Sequence, residues 1–263
     1  MGNEQATAAT VDRARRFGGI VRLYGEAGLA RLGRAHVAVA GIGGVGSWAV
    51  EALVRSGVGY LRLIDLDHVA ESNMNRQIHA LDATLGQAKV EAMAARIGQI
   101  DPGITVVCVD DFVTEANVAT TLAPPLDFVI DAIDDVRAKA AIVMHCRRHG
   151  IGLITLGAAG GQTDPTRIAI EDLSRTTQDP LLAKLRARLR RDHGFPRDPA
   201  KRFRVEAVYS TEPLRYPDAS CTPEAGPAGL SCAGFGSSMA VTASFGLTAA
   251  ARAIERLATS GQK

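Results

Sequence analysis

The chain has 263 residues, of which 46% are hydrophobic, 22% charged and 5% aromatic, and its formal charge is +2. Plentiful apolar surface with so little net charge excludes disorder over most of the length and marks an ordinary globular protein. Cys108, Cys146, Cys221 and Cys232 stand far apart with no Cys-x-x-Cys pair, which excludes a disulfide framework and a standard structural zinc site. Residues 1–10 are polar and lack the apolar core of a signal peptide, so a cytoplasmic location is expected.

The first expected element is a strand at 36–40, followed by glycines and a helix at 47–55. A second strand is expected at 60–64, then a helix at 86–99 whose Val90, Met93, Ala94 and Ile97 share one face. A strand at 104–109, a short helix at 115–122, a strand at 128–130, a helix at 136–149 and a strand at 151–156 follow. This alternation predicts an α/β fold, a Rossmann-like and mostly parallel sheet with helices on both faces. After Gly157 the pattern changes: strands are expected at 167–170 and 203–208, separated by a charged helix from Pro180 to about Arg191. Residues 211–230 carry Pro213, Pro217, Pro223 and Pro227 among several glycines, which reads as a mobile loop. The closing segment, 234–253, is apolar and small enough in its side chains to resemble a membrane span in length. Its hydroxyls (Ser237, Ser238, Thr242, Ser244 and Thr248), with Arg252 close behind, favour a buried helix, so no span is expected.

Gly41-Ile-Gly-Gly-Val-Gly46 directly follows the first strand and opens a helix. Gly41, Gly43, Gly44 and Gly46 allow a tight turn and let backbone N–H groups approach a phosphate at the positive end of that helix. Asp65 closes the second strand at roughly the spacing of an acid that binds a ribose hydroxyl. These residues predict a nucleotide site but do not separate NAD from ATP. The polar run that follows does: Asp65-Leu-Asp67-His-Val-Ala-Glu-Ser72-Asn73-Met74-Asn75-Arg76-Gln77, of which an NAD enzyme needs only the first acid. Asn73, Arg76 and Gln77 can reach back over the phosphates, Arg76 as a guanidinium clamp. Lys89, on the next helix, can neutralise the same charge, although Arg76 and Lys89 taken singly also read as surface cations. Asp134 follows the fourth strand at the carboxyl edge of the sheet. A carboxylate beside phosphates calls for a cation between them, so Asp134 is expected to hold magnesium. A glycine cradle, two basic groups and a metal carboxylate describe nucleotidyl transfer rather than hydride transfer.

On these motifs the chain resembles the ubiquitin-activating-enzyme-like superfamily, whose members use ATP and Mg2+ to adenylate a carboxylate. The resemblance covers nearly the whole chain. Four further stretches resemble the bacterial tRNA threonylcarbamoyladenosine dehydratases within that superfamily. They are Arg16-Phe-Gly-Gly-Ile-Val-Arg-Leu-Tyr-Gly25, Asn75-Arg-Gln-Ile-His-Ala80, Gly157-Ala-Ala-Gly-Gly-Gln-Thr-Asp-Pro165 and Gln178-Asp-Pro-Leu-Leu-Ala-Lys-Leu-Arg186. This resemblance implies ATP-dependent ring closure on threonylcarbamoyladenosine in tRNA, with loss of one water. It implies ATP contacts from Gly44, Asp65, Ser72, Asn73, Met74, Asn75, Arg76, Lys89 and Asp134. Among these, Arg76 and Lys89 are expected to stabilise charge at the α-phosphate, and Asp134 to hold the metal. It also implies a homodimer in which an arginine from the neighbour's N-terminal segment enters the site. Glycine stands at the usual position of that arginine, leaving Arg16 and Arg22 as candidate fingers. A sulfur-relay protein is a further candidate partner.

Lys184, Arg186, Arg188, Arg190, Arg191, Arg197, Lys201, Arg202 and Arg204 fall within one short stretch with few acids among them. Such a cluster is an electrostatic footprint for RNA phosphates, the plainer reading being a solvated helix face. Phe195 and Phe203 read either as stacking platforms for an unpaired base or as core, with core favoured for Phe203. Residues 172–233 are accordingly read as a tRNA-facing insertion with a loop, within a single adenylating domain spanning 1–263. Cys108 in an apolar strand and Cys146 on a helix are expected to be buried and inert. Cys221 falls in the loop, and Cys232 precedes the closing helix where a thiolate is favoured, which makes Cys232 a candidate reactive thiol. Two rival functions stay open. One is adenylation of the Gly-Gly tail of a sulfur-carrier protein, against which the missing Cys-x-x-Cys pairs count; the other is a non-catalytic ATP- or tRNA-binding module.

Overall fold

Strand β1 (His36–Ala40) is buried along almost its whole length, and its side chains alternate between two apolar layers. Val37 and Val39 face one layer, Ala38 and Ala40 the other, as a strand covered on both faces requires. The computed structural model describes residues 12–216 and 235–260. Around β1 it arranges β2 (Tyr60–Ile64), β3 (Thr105–Val109), β4 (Phe128–Asp131), β5 (Gly152–Leu156), β6 (Ile168–Asp172) and β7 (Glu206–Ser210). The sheet order is β3-β2-β1-β4-β5-β7-β6, with every pair parallel except β6 against β7. This is the expected mostly parallel α/β sheet.

One face is covered by α2 (Gly46–Arg55), α3 (Lys89–Ile100), α7 (Met239–Thr259) and the end of α1 (Arg13–Arg34). Val50, Leu53, Met93, Phe245 and Leu32 there close on Val37, Leu63, Ile130 and Ile154. The other face carries α4 (Val118–Thr121) and α5 (Val136–His149), whose Leu122-to-Ile142 layer meets Ala38 and Val129. Helix α6 (Pro180–Asp192) packs outside α5 through Leu182, Leu185 and Leu189. The apolar closing segment forms α7, and among the described residues no helix is long and apolar enough to cross a membrane.

Several boundaries differ from expectation for identifiable reasons. Helix α1 was not expected, because five glycines interrupt it and only Phe17, Gly28 and Leu32 are buried. Tertiary ties hold it: Arg13 pairs with Asp101, and Arg31 donates from Nε to the Ala258 carbonyl at 2.8 Å. Gly25 breaks its geometry at φ 71°. Helix α3 starts at Lys89 rather than 86 because Gly86 sits at φ 79°. Strand β7 starts at Glu206 rather than 203 because Asp172 captures the N–H groups of Phe203 (2.9 Å) and Arg204 (2.7 Å), and Arg204 turns through φ 59°.

One expectation about a single side chain is corrected, and one open alternative is decided. Cys108 is exposed, since β3 is the edge strand of the sheet among the described residues; Cys146 is buried, and burial pushes its thiol up to about 12. Phe195 is core, like Phe203: both are buried, 4.9 Å apart edge to face, so neither is presented for base stacking. Residues 217–234, which hold most of the expected loop with Cys221 and Cys232, lie outside the described residues.

One ion pair is fully buried. Lys139 of α5 donates from Nζ to Asp131 Oδ2 at the end of β4 and to Thr155 Oγ1 of β5, both at 3.1 Å. Thr155 in turn donates to Asp131 Oδ2 at 2.6 Å. Removing one partner strands the other charge in a low-dielectric interior. Lys139→Met should therefore cost about 3–5 kcal/mol in urea denaturation, and Lys139→Met combined with Asp131→Leu and Thr155→Val, which removes the whole buried network, should recover most of that loss.

A second buried titratable group sets an acid limit. His79 is 2% exposed and neither ring nitrogen has a hydrogen-bond partner. Burial, with Lys89 and Arg96 nearby, lowers its pKa from 6.5 to about 4. The unfolded chain binds this proton more readily, so the neutral ring supports the fold above pH 6.5 and the support is lost as pH falls toward 4. Between pH 7.5 and 5 the wild type should lose about 2 kcal/mol that His79→Leu retains, as read from urea midpoints at the two pH values.

Candidate active site

Connections leave the middle of the sheet in opposite directions, from β1 toward β2 and β3 and from β4 toward β5. The carboxyl ends of β1 and β4 therefore flank a crevice, the place where doubly wound sheets bind ligands. A cleft of about 1090 Å3 opens there. Gly41 leaves β1 at φ 87°, and a Cβ on it would lie 2.8 Å from the Ala132 carbonyl oxygen, so glycine is required for the two strand ends to approach. Gly41, Gly43 and Gly44 line the cleft. Gly46 does not; a Cβ there would strike the Gly41 carbonyl at 1.7 Å, so its role is to close the loop on itself at the start of α2.

Asp65 stands at the tip of β2 and braces this loop. Its Oδ2 accepts the Ile42 N–H at 2.6 Å and its Oδ1 the Asp67 N–H at 2.9 Å. Burial raises its carboxyl above the usual range, against the pull of Lys89 and the two N–H donors. Lys89 is itself buried and donates to the exposed Asp67 carboxylate at 2.7 Å, so both reach the cleft as an ion pair. Arg76 donates from Nη1 to the Ser72 carbonyl at 2.7 Å and to Asn75 Oδ1 at 3.0 Å. Its aliphatic stem lies over Gly44, where a Cβ would come within 3.0 Å, and its own carbonyl accepts from Trp48 Nε1 at 2.8 Å. Ser72, Asn73, Arg76 and Gln77 line the cleft; Met74 points outward, and Asn75 donates to the Ser237 carbonyl at 3.1 Å.

Asp134 lines the cleft from the loop after β4, half-buried. That loop is set by Asp131, whose Oδ1 accepts the Ile133 N–H at 3.2 Å while Lys139 and Thr155 hold Oδ2. The opposite wall, 157–160, follows β5. Buried Asp179, which caps α6, accepts the Ala158 N–H at 2.9 Å, and a Cβ on Gly157 would collide with it at 1.9 Å. Burial raises the Asp179 carboxyl, against three backbone N–H donors and Lys139.

Residues without an expected role also reach the cleft. Phe112, 55% exposed, and Arg137 line one side, and Ser237 and Thr242 from the start of α7 another. No spacing rule points to Thr242, because α7 is remote in sequence and reaches the cleft only by packing on α2. None of the basic residues between 184 and 204 lines the cleft. Arg186, Arg188 and Arg190 are engaged internally, with the Thr176 hydroxyl, with Glu115 (2.6 Å) and with the Pro196 carbonyl (3.2 Å). Lys184, Arg191, Arg197, Lys201, Arg202 and Arg204 are exposed. Arg16 and Arg22 do not line this cleft; Arg16 donates to the Ile100 carbonyl at 2.6 Å, and Arg22 is exposed on α1. Among the described residues no three metal-binding side chains cluster.

Comparison with known proteins follows the same lines. A tRNA threonylcarbamoyladenosine dehydratase of Escherichia coli is 51% identical over 249 residues, which is 92% of this chain and 93% of the relative. The Haemophilus influenzae protein of that name is 50% identical over 245 residues, with the same coverage. The crystal structure of E. coli tRNA N6-threonylcarbamoyladenosine dehydratase in complex with ATP superposes with a TM-score of 0.84 at 49% identity, covering 93% of this chain and 94% of that one. The ThiF family model matches residues 17–260, and the chain belongs to the ThiF family.

Proposed function

We infer that the chain is an ATP-dependent tRNA threonylcarbamoyladenosine dehydratase acting in the cytoplasm, where its tRNA is found. The observation that supports this most is the meeting of the glycine loop, Asp65, the Asp67–Lys89 pair, Arg76 and Asp134 in one cleft, in a chain half identical to dehydratases over nine-tenths of both lengths. ATP fits the cleft: the loop offers N–H groups at the start of α2, and the Asp65 oxygens retain lone pairs for a ribose hydroxyl. Asp134 would hold Mg2+ together with phosphate oxygens, since magnesium is commonly bound by one or two carboxylates plus phosphates and water.

The threonine carboxylate of the modified adenosine attacks the α-phosphate, giving an acyl-adenylate and pyrophosphate. Arg76 and Lys89 stabilise the charge that develops there. The carbamoyl group then closes the ring and displaces AMP. Attack within one molecule needs no second reactant to be brought in, so the protein's main tasks are activation and exclusion of water. The exposed cations Lys184, Arg191, Arg197, Lys201, Arg202 and Arg204 are the tRNA contacts, and 172–233 is the tRNA-facing part of one adenylating domain. Residues 186, 188 and 190 support that surface from beneath. The working form is a homodimer, with Arg16 or Arg22 as the residue reaching a neighbour's site.

The deciding experiment supplies ATP, Mg2+ and tRNA bearing the uncyclised group, then reads the digested nucleoside by mass spectrometry. Loss of one water with matching AMP is expected. Arg76→Ala should lower turnover by at least about 100-fold with the unfolding midpoint unchanged; wild-type turnover in this variant would refute the clamp. Replacing Arg197, Lys201 and Arg202 together by alanine should raise the KM for tRNA about tenfold and reduce the salt slope of binding by about 2–3, with the KM for ATP unaltered.

A further inference from the structure

Two stretches that stand apart in the sequence, 157–165 and 178–186, meet at one carboxylate. Asp179 is 4% exposed. Its Oδ2 accepts the Ala158 N–H at 2.9 Å and its Oδ1 the Leu182 N–H at 2.8 Å, so a single side chain holds both the loop after β5 and the first turn of α6. The joint has no slack. A Cβ on Gly157 would collide with Asp179 Oδ2 and come within 3.2 Å of Leu182 Cδ1. Gln178, just before the cap, is held at φ 57°, a conformation costly for a residue that carries a side chain. Such strain persists only where the surroundings over-determine the backbone.

Both sides of this joint reach the cleft. Residues 157–160 line it, and so does Leu181 from the first turn of α6. The loop is pinned at successive backbone groups. The Gly157 N–H donates to the Val208 carbonyl at 2.9 Å, Gln162 Nε2 donates to the Ala158 carbonyl at 3.3 Å, and the Gly161 N–H donates to the Gly236 carbonyl at 2.8 Å. Asp179 is the tie that comes from α6. The nucleotide-facing groups follow β1, β2 and β4, so the acyl part of the substrate falls to the β5 side, against this wall. Two nucleophiles then compete for the acyl carbon of the adenylate, the carbamoyl group of the same molecule and water. The first wins only while the geometry is held, since a misplacement of about 1 Å can cost about 100-fold. An ill-fitting wall also admits the second.

We propose that Asp179 is a positioning residue for ring closure: by joining the 157–160 wall to α6, it holds the acyl group against its own carbamoyl group and keeps water from the acyl-adenylate. The proposal rests on the dehydratase reading and adds the residue that decides the fate of the intermediate. Asp179 touches no reacting atom and acts through Ala158 and the first turn of α6. The same helix carries the exposed Lys184 and Arg191, so the wall keeps a fixed place relative to that basic surface. Asp179→Ser retains a cap oxygen for the Leu182 N–H, but its one short hydroxyl cannot also hold Ala158. Gly157→Ala approaches the joint from the other side, leaving the Asp179 side chain in place and driving the loop off it.

The test gives ATP, Mg2+ and tRNA bearing the uncyclised group to the wild type and to both variants, and counts AMP against cyclised nucleoside. The wild type should release about one AMP per ring formed. Each variant should release at least about threefold more AMP than rings, because water breaks the acyl–phosphate bond and returns the free carboxylate with AMP. The kcat for ring formation should fall at least about tenfold, with the KM values for ATP and tRNA within about twofold of wild type. Asp179→Ser with Gly157→Ala should lose little more than either alone, since both act at one contact. One AMP per ring in both variants overturns the proposal, even where kcat falls, because that pattern marks a structural role only. Failure of both variants to fold overturns it as well, since the joint then serves the fold rather than the reaction. Absence of water loss with the wild type overturns the functional reading itself, an outcome distinct from an unchanged AMP-to-ring ratio.

Discussion

Lys139 lies at the centre of the site's construction although it does not line the cleft. Its ammonium, fully buried, sits between the carboxyl ends of β4 and β5 and binds Asp131 and Thr155 together. Desolvating such a pair offsets most of the attraction it gains, so its consequence here is geometric. Asp131 fixes the turn that presents Asp134, and the Asp131–Thr155 bond fixes the strand that leads into 157–160. The charge of Lys139 also reaches Asp179, which holds the Ala158 N–H and caps α6. The Asp134 side of the cleft, the 157–160 wall and the helix below the basic surface are therefore referred to one buried cation.

The remaining wall is braced by backbone donors and side-chain carboxylates. Asp65 accepts from the glycine loop and from Asp67, and Asp67 holds Lys89. Arg76 is laid across Gly44 by sterics and anchored through its backbone to Trp48. These groups have defined partners within the fold itself, so their positions around the cleft are set by the protein. The same segment reaches over to the start of α7 through Asn75, which ties this wall to the helix end that brings Ser237 and Thr242 to the cleft.

Local sequence signals were most legible where one element and one turn suffice. The continuous apolar run of β1, the glycine loop and the acid at the end of β2 all act within a single βαβ unit, and the structure brings Gly41, Gly43, Gly44 and Asp65 to one cleft. Signals failed where a distant segment decides the outcome. Helix α1 has a weak apolar stripe and depends on Asp101 and Ala258, far along the chain. Strand β7 is shortened by Asp172 from another strand. The basic stretch reads as one uniform footprint, yet Arg186, Arg188 and Arg190 are only partly exposed, because they flank the leucine face that packs on α5 and are held by Thr176, Glu115 and the Pro196 carbonyl. Cys108 belongs to an apolar strand, and only its place at the sheet edge exposes it.

By itself the sequence determined the fold class, the nucleotide-type loop and the residue types along it, because these rest on short-range periodicity and on spacing within about forty residues. The tertiary structure alone decided which charges pair with one another, which cations face outward, and that Thr242 and Gln77, more than 160 residues apart, line one cleft. The physical reason is burial. Whether a polar atom is paired, desolvated or left waiting for a ligand depends on what packs against it, and no periodicity in the chain encodes that neighbour.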